Sequence, residues 1–243
     1  GDVVGVGVSV NLSAGGTFGL ADDAYGKVDS LYGIENVEGT GFDDTLTGDA
    51  GANHLKGGAG NDLFFGAAGN DSFTGGTNTD TVVYTGSDAV TVSWGGVAGQ
   101  ATVSGAVAVG TDQLSEIEKV VGSSAADTFK AATGVNALVT GATWDGAGGA
   151  DTLDLTTASG KDYEVDLSVG AGYARENGQT ASQTLLNIEH VKFQDGTNVI
   201  KGSISDNRIE GGSGTDTYDL TSAGSAVGVT VTALSNVVVA GSV

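Results

Sequence analysis

The chain has 243 residues with 43 glycines, no proline, no cysteine and no methionine, and aromatic residues make up only 6% of it. Thirty acidic against nine basic residues give a formal net charge of −21, which excludes nucleic acid as a partner, since phosphate contact demands Lys and Arg, and opposes anionic membrane surfaces. So few large side chains cannot fill an ordinary globular core, but a solenoid needs only a thin apolar seam per coil.

With no cysteine there can be no disulfide to brace a thin core, and metal is the remaining common staple. No apolar run approaches the about twenty residues of a membrane span, so no membrane insertion is expected. Neither a signal peptide nor an initiating Met is present, as expected of an internal piece of a longer protein.

From Gly1 to Val37 the text is strand-like, with alternation in Val8-Ser9-Val10-Asn11-Leu12, a turn at Gly15-Gly16, and the segment Leu31-Tyr32-Gly33-Ile34-Glu35-Asn36-Val37. Then Gly39 to Val83 divides into five nines, GTGFDDTLT, GDAGANHLK, GGAGNDLFF, GAAGNDSFT and GGTNTDTVV. Their sixth place reads Asp44, Asn53, Asp62, Asp71, Asp80, and their eighth reads Leu46, Leu55, Phe64, Phe73, Val82. Each nine thus carries one metal-capable and one core side chain. Glycines such as Gly57, Gly58, Gly60, Gly66 and Gly69 permit φ > 0 and close approach of carbonyls to a cation. A carboxylate plus carbonyls is an oxygen-only donor set, which suits Ca²⁺.

Two nines make one coil if each supplies a loop and a short strand, so copies eighteen residues apart stack. That places Asp44, Asp62 and Asp80 on one edge and Asn53 and Asp71 on the other. Cations are expected between Asp44 and Asp62, between Asp62 and Asp80, and near Asp71. The order then recurs. A strand-like link (Val90 to Trp94) and an Ile-Glu segment (Leu114 to Val120) lead to GSSAADTFK with Asp127, then Asn136, a phase break at Thr140 to Asp145, and Asp151. A further link (Tyr163 to Leu167) and segment (Leu185 to Val191) lead to Asn198, Asn207 and Asp216. The expected units are 1–83, 84–154 and 155–219, with 220–243 the start of another. The links are expected to continue the solenoid as longer, irregular coils.

The third nine, Gly57 to Phe65, resembles the GGxGxDxUx consensus of the RTX (repeats-in-toxin) calcium-binding proteins. The resemblance implies an all-β fold, a parallel β-roll or β-solenoid with Ca²⁺ between stacked glycine-rich loops. It also implies type I secretion, with folding on calcium outside the cell.

Catalytic patterns are lacking: His54 and His190 are the only histidines, there is no HExxH, no GxSxG elbow and no phosphate-binding loop. Not an enzyme, then, but a structural region is expected. Its place would be a large secreted or cell-surface protein, such as a surface layer, filament or adhesin stalk, with self-association or continuation into further repeats. The alternative is a folding and secretion appendage of an enzyme such as a protease, lipase or alginate epimerase.

Overall fold

The computed structural model describes residues 5–12, 18–23, 25–95, 100–106, 109–131, 141–158, 160–168, 170, 172–180, 182–203, 205–219, 230–231 and 237–240. It begins with β1 (Ser9–Asn11), β2 (Gly19–Asp22), β3 (Val28–Leu31) and β4 (Asn36–Glu38). The five nines supply β5 (Thr45–Thr47), β6 (His54–Ala59), β7 (Leu63–Phe65), β8 (Ser72–Thr77) and β9 (Thr81–Val83). In these triplets the middle side chain points inward and the flanks, β-branched or polar except for Leu63 and Phe65, point outward, and Leu46, Leu55, Phe64, Phe73 and Val82 are all fully buried.

Successive strands alternate between two sheets that share one core. Thr45-Leu46-Thr47 pairs in parallel with Leu63-Phe64-Phe65, which pairs with Thr81-Val82-Val83. Opposite them β4, β6 and β8 pair in the same eighteen-residue register. Phe64 and Phe73 meet across the core edge to face, their centroids 5.8 Å apart. Each such ring contributes about 1.5–3 kcal/mol by burial.

The links depart from the expected irregular coils. β10 (Val90–Trp94), β11 (Ala101–Gly105) and β12 (Thr111–Ser115) form an antiparallel meander lying flat in one sheet. Its last strand stacks on β8 and its first becomes the platform for the next block. A strand has only two hydrogen-bonding edges, so returning the chain antiparallel adds two strands to one sheet without lengthening a coil. β1 to β3 do the same at the start, as do β17 (Tyr163–Asp166), β18 (Gly172–Glu176) and β19 (Gln183–Leu186) later.

Between the second and third meanders lie β13 (Lys119–Val121), β14 (Thr128–Lys130), β15 (Thr143–Asp145) and β16 (Thr152–Leu155). After the third come β20 (His190–Phe193), β21 (Val199–Lys201), β22 (Arg208–Glu210), β23 (Asp216–Asp219), β24 (Thr230–Val231) and β25 (Val237–Ala240). Among the described residues the sheets hold fourteen and eleven strands, and the three meanders alternate between them. Within the phase break β15 is a regular strand of the stack: Trp144 takes the core place between Val120 and Leu185. Its ring stacks on Trp94 at 5.8 Å and on Phe129 at 5.9 Å.

Candidate metal centre

The residue just before each strand triplet is the sixth place of its nine, and the fold turns it inward. Asp44, Asp62, Asp71, Asp80, Asp127, Asp151 and Asp216 are each at most 2% exposed, and Asn53, Asn198 and Asn207 are also buried. From sequence these acids are expected along the edges of the stacked loops; in the fold they are buried in two columns along the roll. Asn136 lies outside the described residues.

Within a column each acid accepts the backbone amide of its counterpart one coil earlier. Val8 donates to Asp44 Oδ1 (2.6 Å), Asp44 to Asp62 Oδ1 (2.8 Å) and Asp62 to Asp80 Oδ1 (2.8 Å). On the other edge Asn53 donates to Asp71 Oδ1 (2.8 Å), and farther along Val90 donates to Asp127 Oδ1 and Asp127 to Asp151 Oδ1, both at 2.7 Å. Tyr163 donates to Asn198 Oδ1 (3.0 Å), and Asn198 to Asp216 Oδ1 (3.2 Å).

Three members of the columns were not singled out from sequence. Asp112 accepts the Asp71 amide (2.8 Å), Glu118 Oε2 that of Asp80 (2.9 Å) and Glu189 Oε2 that of Asp151 (2.9 Å). Asp112 lies in a meander strand, while Glu118 and Glu189 follow a meander and continue a column in the sheet opposite it. The Glu after Ile117 and after Ile188 was the available signal.

The second carboxylate oxygen divides the loops into two kinds. In four nines it, or the amide oxygen, accepts the amide of the nine's second residue: Thr40 to Asp44 (2.5 Å), Asp49 to Asn53 (2.7 Å), Ser123 to Asp127 (2.6 Å) and Ser203 to Asn207 (2.7 Å). In five the second residue is left-handed: Gly58 (φ 122°), Ala67 (φ 74°), Gly76 (φ 121°), Ala147 (φ 63°) and Gly212 (φ 77°). The matching Oδ2 atoms, of Asp62, Asp71, Asp80, Asp151 and Asp216, are buried without any hydrogen-bond partner. A left-handed second residue goes with an unpaired carboxylate oxygen in every case.

The glycines close these loops. A Cβ at Gly57 would overlap the Asp62 carboxylate, and at Gly58 or Gly60 the backbone of the loop one coil earlier, at Thr40 and Phe42. At Gly66 it would come within 3.1 Å of Asp71 Oδ2, and at Gly69 it would overlap the Gly51 carbonyl.

A buried anionic oxygen with no donor and no counter-charge is costly. Among the described residues the ion pairs use other acids, such as Lys119 with Asp145 and Lys201 with Asp166 on the outer faces. Burial, opposed in part by the column hydrogen bonds, pushes the carboxyls of Asp71 and Asp151 up to about 7 and that of Asp80 to about 6. Asp62, Asp127 and Asp216 are raised by the same cause. Among the described residues no group of three or more His, Asp or Glu side chains could hold a metal by itself. A cation here would therefore take its remaining oxygens from loop carbonyls, a donor set that fits a hard ion such as Ca²⁺.

Stacked parallel coils with acid columns beside glycine loops define a calcium β-roll. The family model of the RTX calcium-binding nonapeptide repeat matches the chain in four copies, over residues 29–64, 38–73, 47–82 and 194–222. The chain therefore carries RTX repeats, whose cofactor is Ca²⁺ and whose role is structural rather than catalytic. Asp127 and Asp151, which continue the same column, lie outside the matched stretches. No curated protein matches the chain.

Proposed function

We propose that this region is a calcium-folded structural β-roll of a large secreted or cell-surface protein, in a surface layer, filament or adhesin stalk, continuing into further repeats or self-associating along its axis. The observation that carries the reading is the set of five buried, unpartnered carboxylate oxygens, on Asp62, Asp71, Asp80, Asp151 and Asp216. Each is an anionic ligand in want of a cation. Extracellular calcium at about millimolar level would saturate sites of this class, so the chain would cross the envelope unfolded and compact outside.

The three long meanders favour a structural stalk over an enzyme's secretion appendage, because they extend both sheets without adding acid loops. An antibody against the chain, applied to intact cells before and after a chelator wash, tests the location. Labelling that is present before the wash and changed by it supports the reading. Labelling only after lysis contradicts it.

A further inference from the structure

The segment Asp112-Gln113-Leu114-Ser115-Glu116-Ile117-Glu118 recurs as Gln183-Thr184-Leu185-Leu186-Asn187-Ile188-Glu189. Both copies sit on a nonapeptide coil. β12 lies parallel on β8 and β13 on β9, while β19 lies on β15 and β20 on β16. The fifth residue is left-handed in each copy, Glu116 at φ 56° and Asn187 at φ 51°. Its carbonyl oxygen lies so close over the first glycine of the nine beneath, Gly75 or Gly146, that a Cβ there would overlap it. The closing Glu accepts the amide of that nine's acid, Asp80 or Asp151, and returns its own amide to the same residue's carbonyl at 3.2 and 3.1 Å. Ile117 and Ile188 are buried.

A third copy, Asp29-Ser30-Leu31-Tyr32-Gly33-Ile34-Glu35, has the same left-handed fifth residue, Gly33 at φ 60°. Its strands, β3 and β4, are the last of their sheets. The isoleucine place buried in the other copies is open here, with Ile34 40% exposed, and two further apolar side chains of the same stretch, Val28 and Tyr32, are 59% and 67% exposed. Asp29 and Glu35, which correspond to Asp112 and Glu118, are exposed and make no side-chain hydrogen bond among the described residues.

We propose that this face is the seat of one further nonapeptide coil of the form Gly-x4-Asp-Thr, supplied by the same polypeptide N-terminal to Gly1. The form follows from what fills the other two seats, Gly75 to Thr81 and Gly146 to Thr152. Glycine is required because the Gly33 carbonyl would rest on it. The aspartate amide goes to Glu35, and its carbonyl accepts the Glu35 amide. Chain order supplies the source. In both other copies the seat is filled by the coil that comes just before the meander in the same chain, β8 and β9 before β10, and β15 and β16 before β17.

The inference rests on the reading of the chain as a stacking calcium roll, and its test separates the two. The chain is extended at Gly1 by a copy of residues 66–83, the coil beneath the second seat, and amide hydrogen exchange is followed in calcium. Exchange at residues 28–37 should slow by about tenfold or more. The gain should vanish when the glycine copied from Gly75 is replaced by valine in the extension, and shrink with Glu35→Lys. A folded extended chain with unchanged exchange at 28–37 overturns the seat while leaving the roll intact. So does a dimer of the unextended chain that Ile34→Asp dissociates, because a second copy then occupies the face. The calcium response of the unextended chain, recorded alongside, decides the roll reading by itself.

Discussion

The amide of Asp62 donates to Oδ1 of Asp80 at 2.8 Å, and the other oxygen of the Asp80 carboxylate is buried with no partner. One side chain thus serves two ends. Its inner oxygen ties two coils together, and its outer oxygen is left for a cation.

Asp62→Asn should separate these roles. The amide oxygen can still accept from Asp44, but the charge is gone, so the calcium midpoint should rise several-fold. Asp62→Ala removes the hydrogen bond as well and should cost a further about 1–3 kcal/mol. Calcium titrations followed by chemical denaturation check both. Equal behaviour of the two variants would show that the column bond contributes nothing.

The second residue of each nine should set calcium stoichiometry. Ser123→Gly removes the hydroxyl that bonds Asp127 and permits the left-handed loop seen at Gly58 and Gly76. Calorimetric titration should then count one more site than in the parent. Gly76→Ser should lose one, because a φ of 121° is barred to serine. Unchanged counts in both would detach stoichiometry from this position.

The eighteen-residue coil was legible in the text because identical phases stack, and Leu46, Phe64 and Val82 do fall in one row. The acid columns were legible only in part. The partner of each carboxylate is a backbone amide eighteen to forty-one residues away, which no side-chain pattern reports. The meanders were hidden for a different reason. Val90 to Trp94 alternates equally well as a coil strand or a hairpin strand, and only pairing with Ala101 to Gly105 decides. The phase at Trp144 reads as an interruption because its strand falls twenty-four residues after Val120 instead of eighteen, yet the strand has the usual register.

Trp144→Ala should cost about 3–5 kcal/mol, since it empties the fully buried place between Trp94 and Phe129. Trp144→Phe should cost much less. It keeps an aromatic ring and removes an indole N–H that is buried without a partner. Thermal unfolding in saturating calcium measures both.

Without metal the fold should weaken as pH rises. The carboxyls of Asp71, Asp80 and Asp151 stand near 7, 6 and 7 in the folded chain, above their ordinary value of 3.8. The folded state therefore binds more protons than the unfolded one between about pH 4 and 7, and stability falls across that window. With calcium the direction reverses, because protons compete for the same oxygens. Chelated samples at pH 5 and pH 8 should differ, the former being the more folded.

Circular dichroism with and without calcium tests the central claim most directly. In chelator at pH 8 the chain should give a disordered spectrum, because its unpaired carboxylates oppose compaction and glycine loses the most backbone entropy on ordering. Adding Ca²⁺ to about millimolar level should produce a β spectrum, and Mg²⁺ much less of one, since its small octahedral shell suits such loops poorly. A β spectrum that thorough chelation leaves unchanged would contradict the account.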